Sequence, residues 1–278
     1  MTDDDIPAGV RLKEIAGWNQ TAADWKRFLD ATPQGCFVAE VDGKVCGTVT
    51  TIVFENRFAW VGMVLVDPEF RSRGIGTALL ERAVQYLDDV KIATIKLDAT
   101  PQGKPLYEKL GFVSEYEIER WTLQRASPRN ARIPNIRVSQ STELSPEILE
   151  IDRGVFGTDR SSLLKSLHRE APEFTNSVSA GAVVQGYALG RRGAFADHLG
   201  PWMSGNSSAA EQLLETFVTR SARQKLIVDR MKANKLAAGL LEGSGFGYSR
   251  TLTRMYRGVN GFPGKPDVLC AILGPEFG

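Results

Sequence analysis

Val66-Asp67-Pro68-Glu69-Phe70-Arg71-Ser72-Arg73-Gly74-Ile75-Gly76-Thr77-Ala78-Leu79-Leu80 is the stretch that decides how this chain is read. The residues before it, Trp60 to Val66, alternate apolar side chains between turn formers and predict a strand. Those after it place Ile75, Leu79, Ala83 and Leu87 four apart, one face of a helix. A strand therefore runs through an arginine- and glycine-rich turn into a helix. Gly74 and Gly76 carry no side chain to hold a ligand off the backbone, and the unpaired N–H groups of a first helical turn point outward with the positive end of the dipole behind them. The turn predicts an anion cradle sized for a pyrophosphate.

Arg71-Ser72-Arg73-Gly74-Ile75-Gly76 resembles the Arg/Gln-x-x-Gly-x-Gly/Ala loop of the GNAT superfamily of acyl-CoA N-acyltransferases. A second segment falls at that family's spacing. Ile95 to Thr100 reads as the next strand, and Lys104-Pro105-Leu106-Tyr107-Glu108-Lys109-Leu110-Gly111-Phe112 resembles the family's short helix, which leads into a closing strand. Walker and Rossmann loops also place glycines at a helix start, but no Gly-Lys-Ser/Thr follows here and the first glycine of Gly-x-Gly-x-x-Gly is missing.

The resemblance implies acetyl-CoA as cosubstrate. Its pyrophosphate would meet the backbone of Arg73 to Ala78, including Ile75 and Thr77, helped by Arg71, Ser72 and Arg73, and its pantetheine arm would pair with the backbone of Leu65 and Val66. Tyr107 matches the tyrosine near the CoA sulfur in many members. A phenol with an ordinary pKa of about 10 can protonate a leaving thiolate at neutral pH. No carboxylate lies on the strand from Trp60 to Val66, where some relatives carry a glutamate. Glu55 and Asp67 read as loop charges, and a water chain remains open as the base.

Composition permits this and excludes other classes. The 278 residues carry a formal charge of +1, so no general nucleic-acid or anionic-membrane surface is indicated. Met1-Thr2-Asp3-Asp4-Asp5 is no secretion signal, no run is apolar enough for a bilayer, and a cytoplasmic location is expected. Cys36, Cys46 and Cys270 form no Cys-x-x-Cys, which argues for a reducing compartment and against a zinc or other metal site.

Along the chain, the stretch from Ala16 to Trp25 predicts a helix start with Thr21 as N-cap and Asp24 three residues on. Phe37–Val41, Asp42-Gly43 and Val45–Phe54 predict a hairpin. The fold class is α+β, a mixed, mainly antiparallel sheet flanked by helices. Leu79-Leu80-Glu81 recurs as Leu213-Leu214-Glu215 and Gly111-Phe112 as Gly245-Phe246, both shifted by 134. Two tandem GNAT-like domains follow: 1–125, a polar linker at 126–135, and 136–278, with Ser249 to Tyr256 closing the second copy. An unrelated α+β second half is the alternative. At that shift Arg71, Arg73, Gly74, Gly76 and Tyr107 become Gly205, Ser207, Ser208, Ala210 and Leu241, so the second copy is expected to bind no CoA.

The expected activity is transfer of an acetyl group to a primary amine, on a small molecule, with non-catalytic acyl-CoA sensing or scaffolding as the alternative. Trp18 on the early helix, with His198 and Trp202 from the second copy, are candidates for the acceptor wall, since aromatic faces attract a cation. A chain ending near Arg125 is expected to keep CoA binding and lose acetylation.

Overall fold

A computed structural model describes residues 1–127 and 144–278, so 128–135 of the expected linker lie outside the described residues. The chain forms two compact units. Unit 1 comprises Met1–Glu115, Thr253–Phe262 and Pro275–Gly278; unit 2 comprises Tyr116–Leu252 and Pro263–Gly274.

Unit 1 opens with helices α1 (Ile6–Ile15) and α2 (Ala22–Ala31). Thr21 caps α2 as predicted, its backbone N–H donating to Asp24 Oδ2 at 2.7 Å. Helix α1 was not foreseen, and Trp18 lies on the connection between the helices rather than on one. Strands β1 (Phe37–Val41) and β2 (Lys44–Phe54) are joined by Asp42 and Gly43 at φ 51° and 75°, the positive pair that a two-residue hairpin turn needs. Strand β3 (Phe58–Val66) runs antiparallel to β2 and leads to α3 (Ile75–Asp89). Then come β4 (Thr94–Ala99), α4 (Lys104–Lys109) and the long strand β5 (Val113–Gln124). Leu79, Leu80, Ala83 and Leu87 of α3 are buried against Ala59, Val61, Ile95 and Leu97 of the sheet. Each such leucine contributes about 1.5–3 kcal/mol by leaving water.

Unit 2 repeats the order: α5 (Pro146–Phe156), α6 (Ser161–Glu170), β6 (Asn176–Ala180), β7 (Val183–Arg192), β8 (Asp197–Ser204), α7 (Ser207–Arg220), β9 (Lys225–Met231), α8 (Lys235–Gly243), β10 (Gly247–Gly258) and a short β11 (Leu269–Ala271). Leu213, Leu214 and Phe217 of α7 are buried where the shift of 134 puts Leu79, Leu80 and Ala83 of α3.

The closing strands correct the sequence reading. β4 is bordered not by β5 but by β10, antiparallel from Thr253↔Ala99 to Gly258↔Thr94. β9 is bordered by β5, from Ile118↔Met231 to Gln124↔Lys225. Each repeat's sheet is completed by the other repeat's closing strand, so the compact units differ from the contiguous ranges 1–125 and 136–278. Within unit 1 the sheet runs β1-β2-β3-β4-β10; within unit 2 it runs β5-β9-β11-β8-β7-β6.

Charged pairs mark both crossings. Arg254 grips Asp98 through Nε and Nη2 at 2.8 and 2.9 Å, and Arg120 grips Asp229 in the same bidentate manner at 2.7 Å twice. Each arginine is the register partner of its aspartate, and the two aspartate side chains are fully enclosed. Arg120 and Arg254 are themselves 134 apart.

Candidate active site

Asp67 to Gly74 connect β3 to α3. Asp67 fixes the start of the loop: Arg11 Nη1 donates to its Oδ2 at 2.7 Å, and Glu69 N–H donates to its Oδ1 at 3.2 Å. The Arg11 guanidinium holds the Asp67 carboxyl below the usual carboxylate range. Arg71 Nε donates to Val66 O at 3.1 Å, and Arg73 lies 5.2 Å over the Phe70 ring, while both arginines remain exposed. Gly74 takes φ 79°, a conformation costly for any other residue, and turns the chain into the helix.

No side chain caps α3. Its first-turn N–H groups, from Ile75 onward, face the exposed loop, and the dipole favours an anion there. A Cβ on Gly76 would make only ordinary contacts, 3.5 Å from Val66 Cγ2 and 4.0 Å from Leu106 Cδ2, and one on Gly74 would meet nothing within 4 Å. The protein's own packing therefore does not require glycine at 76.

Beside this cradle the sheet opens. β3 and β4 are parallel neighbours only at Ala59↔Ile95 and Trp60↔Lys96. Further along, β3 bulges: Thr50 faces Gly62 and Thr48 faces Leu65, so Met63 and Val64 oppose Val49 alone. Met63 sits at φ 51°, and its carbonyl accepts from Thr48 Oγ1 at 2.8 Å. Leu65 and Val66 pair with β2 on one edge and have no register partner on β4 at the other. The bulge was not legible in the sequence, since a methionine gives no sign of a left-handed φ.

Tyr107 on α4 packs edge-on to Phe112 at 6.1 Å, and a Cβ on Gly103 would stand 3.0 Å from its ring. Burial pushes its phenol pKa up to about 12, so the proton stays in place through the physiological range. Neither sequence candidate for a base is a free group: Asp67 is tied to Arg11, and Glu55 lies 4.0 Å from Arg57 in the turn before β3.

In unit 2 the same elements are arranged differently. Only Gly205 and Asn206 separate β8 from α7, and Asn206 Oδ1 caps the helix by accepting from Ala209 N–H at 2.9 Å. β8 and β9 pair in parallel from Asp197↔Leu226 to Leu199↔Val228, and beyond that point β11 fills the gap, with Ala271 the register partner of both Trp202 and Arg230. Ile272 N–H donates to Asp229 O at 3.0 Å, and a Cβ on Gly200 would lie 1.9 Å from Ile272 O.

Two acceptor-wall candidates are corrected by burial. Trp202 is 0 % exposed in the core of unit 2 and presents no ring face to a ligand. His198 is likewise enclosed, with Nε2 3.1 Å from Asp229 Oδ2 and Nδ1 3.2 Å from Arg191 Nη2, and desolvation lowers its pKa. Trp18 is half-buried and keeps some exposed surface. The three cysteines are buried and free, and no cluster of three or more His, Cys, Asp or Glu is present among the described residues. No described helix is long and apolar enough to cross a membrane.

Residues 11–112 match the Acetyltransferase (GNAT) family, and residues 148–270 match the Acetyltransferase (GNAT) domain. A holothin acyltransferase of Pseudoalteromonas sp. is 25% identical over 94% of this chain and 87% of its own length. An uncharacterized N-acetyltransferase of Bacillus subtilis is 25% identical over 77% of this chain and 75% of its own. A solved structure from Pyrococcus horikoshii, assigned as an acetyltransferase, aligns with a TM-score of 0.81 at 26% identity, covering 100% of this chain and 94% of the other. A GCN5-related N-acetyltransferase from Sphaerobacter thermophilus shares the fold, with a TM-score of 0.65 at 18% identity over 93% of this chain and 94% of its own. The chain belongs to the GNAT acyl-CoA N-acyltransferases as a tandem member, and it is a GNAT-type N-acetyltransferase. Enzymes of this class take the acetyl group from acetyl-CoA.

Proposed function

We propose that unit 1 binds acetyl-CoA and transfers its acetyl group to the primary amine of a small molecule, and that unit 2 binds no CoA. The observation that carries this reading is the uncapped N-terminus of α3, placed behind two exposed arginines and beside an open strand gap. The N–H groups from Arg73 to Ala78 would hold the pyrophosphate, with Arg71, Ser72, Gly74 and Gly76 shaping its seat. The free backbone edge of Leu65 and Val66 would pair with the pantetheine arm. A strand N–H there would polarise the thioester carbonyl, for which a fixed donor stabilises the developing oxyanion. Tyr107, protonated and half-buried, would give its proton to the departing thiolate. Its raised pKa keeps the phenol protonated at neutral pH, so the proton is in place when the thiolate departs.

Calorimetric titration of the whole chain with CoA tests the donor site, with one molecule bound per chain expected. Thiol release from acetyl-CoA with a panel of small primary amines tests the acceptor class. Binding without thiol release would return the chain to the sensor or scaffold reading; acetylation of peptide N-termini alone would overturn the small-molecule acceptor.

A further inference from the structure

Trp60↔Lys96 is the last register pair of β3 with β4, so Val61 and Gly62 stand where the strand gap begins. The two faces of β3 are covered differently there. Ala59 and Val61 are buried with Leu97 and Ala99 in the core against α3, and Trp60 and Gly62, alternating with them along the strand, face the other way. That second face is covered by a short tail, Pro275–Gly278, which belongs to unit 1. Trp60 Nε1 donates to Pro275 O at 2.9 Å, and the Phe277 ring stacks on Phe28 of α2 with centroids 4.8 Å apart. Between those two anchors the Glu276 backbone presses on the strand: a Cβ at Gly62 would stand 2.7 Å from its carbonyl oxygen and 3.3 Å from its Cα. The glycine lets main chain meet main chain at this distance.

We infer that the tail backbone is the end wall of the donor's acyl site in unit 1, and that it selects acetyl-CoA over longer acyl-CoAs. This rests on the reading that unit 1 binds acetyl-CoA at the cradle and along the gap.

A donor held in that way has a fixed polarity. Its pyrophosphate sits at the start of α3, past Val66, and its arm follows β3 back along Val66 and Leu65. The thioester end therefore points toward Met63 and Gly62, short of the closure of β3 on β4 at Trp60. An acyl group at that end meets core on one face, at Val61 and Leu97, and main chain on the other, at Glu276. A lone exposed side chain swings aside for added methylenes. A backbone segment anchored on Trp60 and Phe28 yields only by losing that packing.

The test is calorimetric titration of the full chain with CoA, acetyl-CoA and hexanoyl-CoA, which needs no acceptor. The wild-type chain should bind CoA and acetyl-CoA within about threefold of each other, and hexanoyl-CoA roughly tenfold or more weakly than acetyl-CoA. Phe277→Ala, which removes the stack on Phe28 and keeps the Glu276 backbone, should narrow the acetyl-to-hexanoyl ratio at least roughly threefold while CoA affinity holds. Removal of Pro275–Gly278 should abolish the preference. Gly62→Ala in that shortened chain should restore part of it, by placing a methyl group where main chain had been. If the shortened chain does not fold, Phe277→Ala decides. Equal affinity of the wild-type chain for acetyl-CoA and hexanoyl-CoA, or a wild-type ratio in a folded variant, would overturn the inference and leave the tail as a strap on β3. Failure of the wild-type chain to bind CoA itself is a distinct result, which would overturn the donor-site reading and this inference with it.

Discussion

The two repeats share a bulged strand, a following helix and a parallel neighbour, yet one keeps its gap open and the other has closed it from within. In unit 1, β3 separates from β4 after Trp60, and the helix behind the gap has no side-chain cap. In unit 2, β11 occupies the corresponding gap, and Asn206 caps the helix. The loop from Asp67 to Gly74 has shrunk there to Gly205 and Asn206. The two repeats thus differ by more than the arginines of the loop. The unpaired strand edges, costly when buried without partners, were satisfied by the chain itself.

The largest effect expected from this contrast is that of truncation. A chain ending near Arg125 lacks Thr253–Phe262 and Pro275–Gly278, leaving β4 without its antiparallel partner and Asp98 without Arg254. It should fail to give a cooperative unfolding transition and should lose CoA binding, in contrast to the independent domain expected from sequence. Gly76→Val comes next: the added branch would fill the proposed seat of the pyrophosphate, so calorimetry should detect no CoA binding while the melting temperature stays close to wild type. Undiminished affinity would remove the main support for the cradle.

Tyr107→Phe should lower turnover by roughly 10² to 10⁴ with CoA affinity retained. A wild-type rate would reduce Tyr107 to packing against Phe112. Arg254→Ala breaks a buried pair and should cost about 3–5 kcal/mol in urea unfolding. Arg120→Ala in the other crossing should behave alike, and a large disparity would show that the two crossings are not equivalent.

The smallest effect is at Arg11. Asp67 has its pKa lowered in the folded chain, so its contribution to stability is complete above the unfolded value near pH 4 and is lost as pH falls through the lower folded value. Arg11→Met should move acid unfolding to higher pH. It should also weaken CoA binding roughly 2- to 5-fold, as suits a partly exposed ion pair at the root of the loop.

Much of unit 1 was legible because its signals are local. Asp42-Gly43 specifies a hairpin turn, Thr21 and Asp24 specify a cap, and the spacing of Leu79, Ala83 and Leu87 gives the phase of α3 whatever surrounds it. The exchange of closing strands was not legible, since β5 and β10 carry comparable strand patterns and periodicity does not name a partner. A clue was nonetheless present: Arg120 and Arg254 repeat at the offset of the duplication, and each needs a carboxylate from a neighbouring strand. β11 and the tail were missed for another reason. Leu269-Cys270-Ala271 is too short to show a period, and the return of Glu276 to β3 rests on its close approach to Gly62, more than two hundred positions earlier. His198 and Trp202 were misjudged because residue type indicates what a side chain could bind and says little about whether it is enclosed.

The crossed strands also set a timetable for synthesis. β4 emerges from the ribosome some 150 positions before Thr253, so at ordinary elongation rates its partner is missing for roughly 8 to 30 s. Throughout that interval the strand that should flank β10 is an open edge, and Asp98 waits for its guanidinium. The repeat that comes first in sequence therefore completes its sheet only after the closing strand of the second has been made.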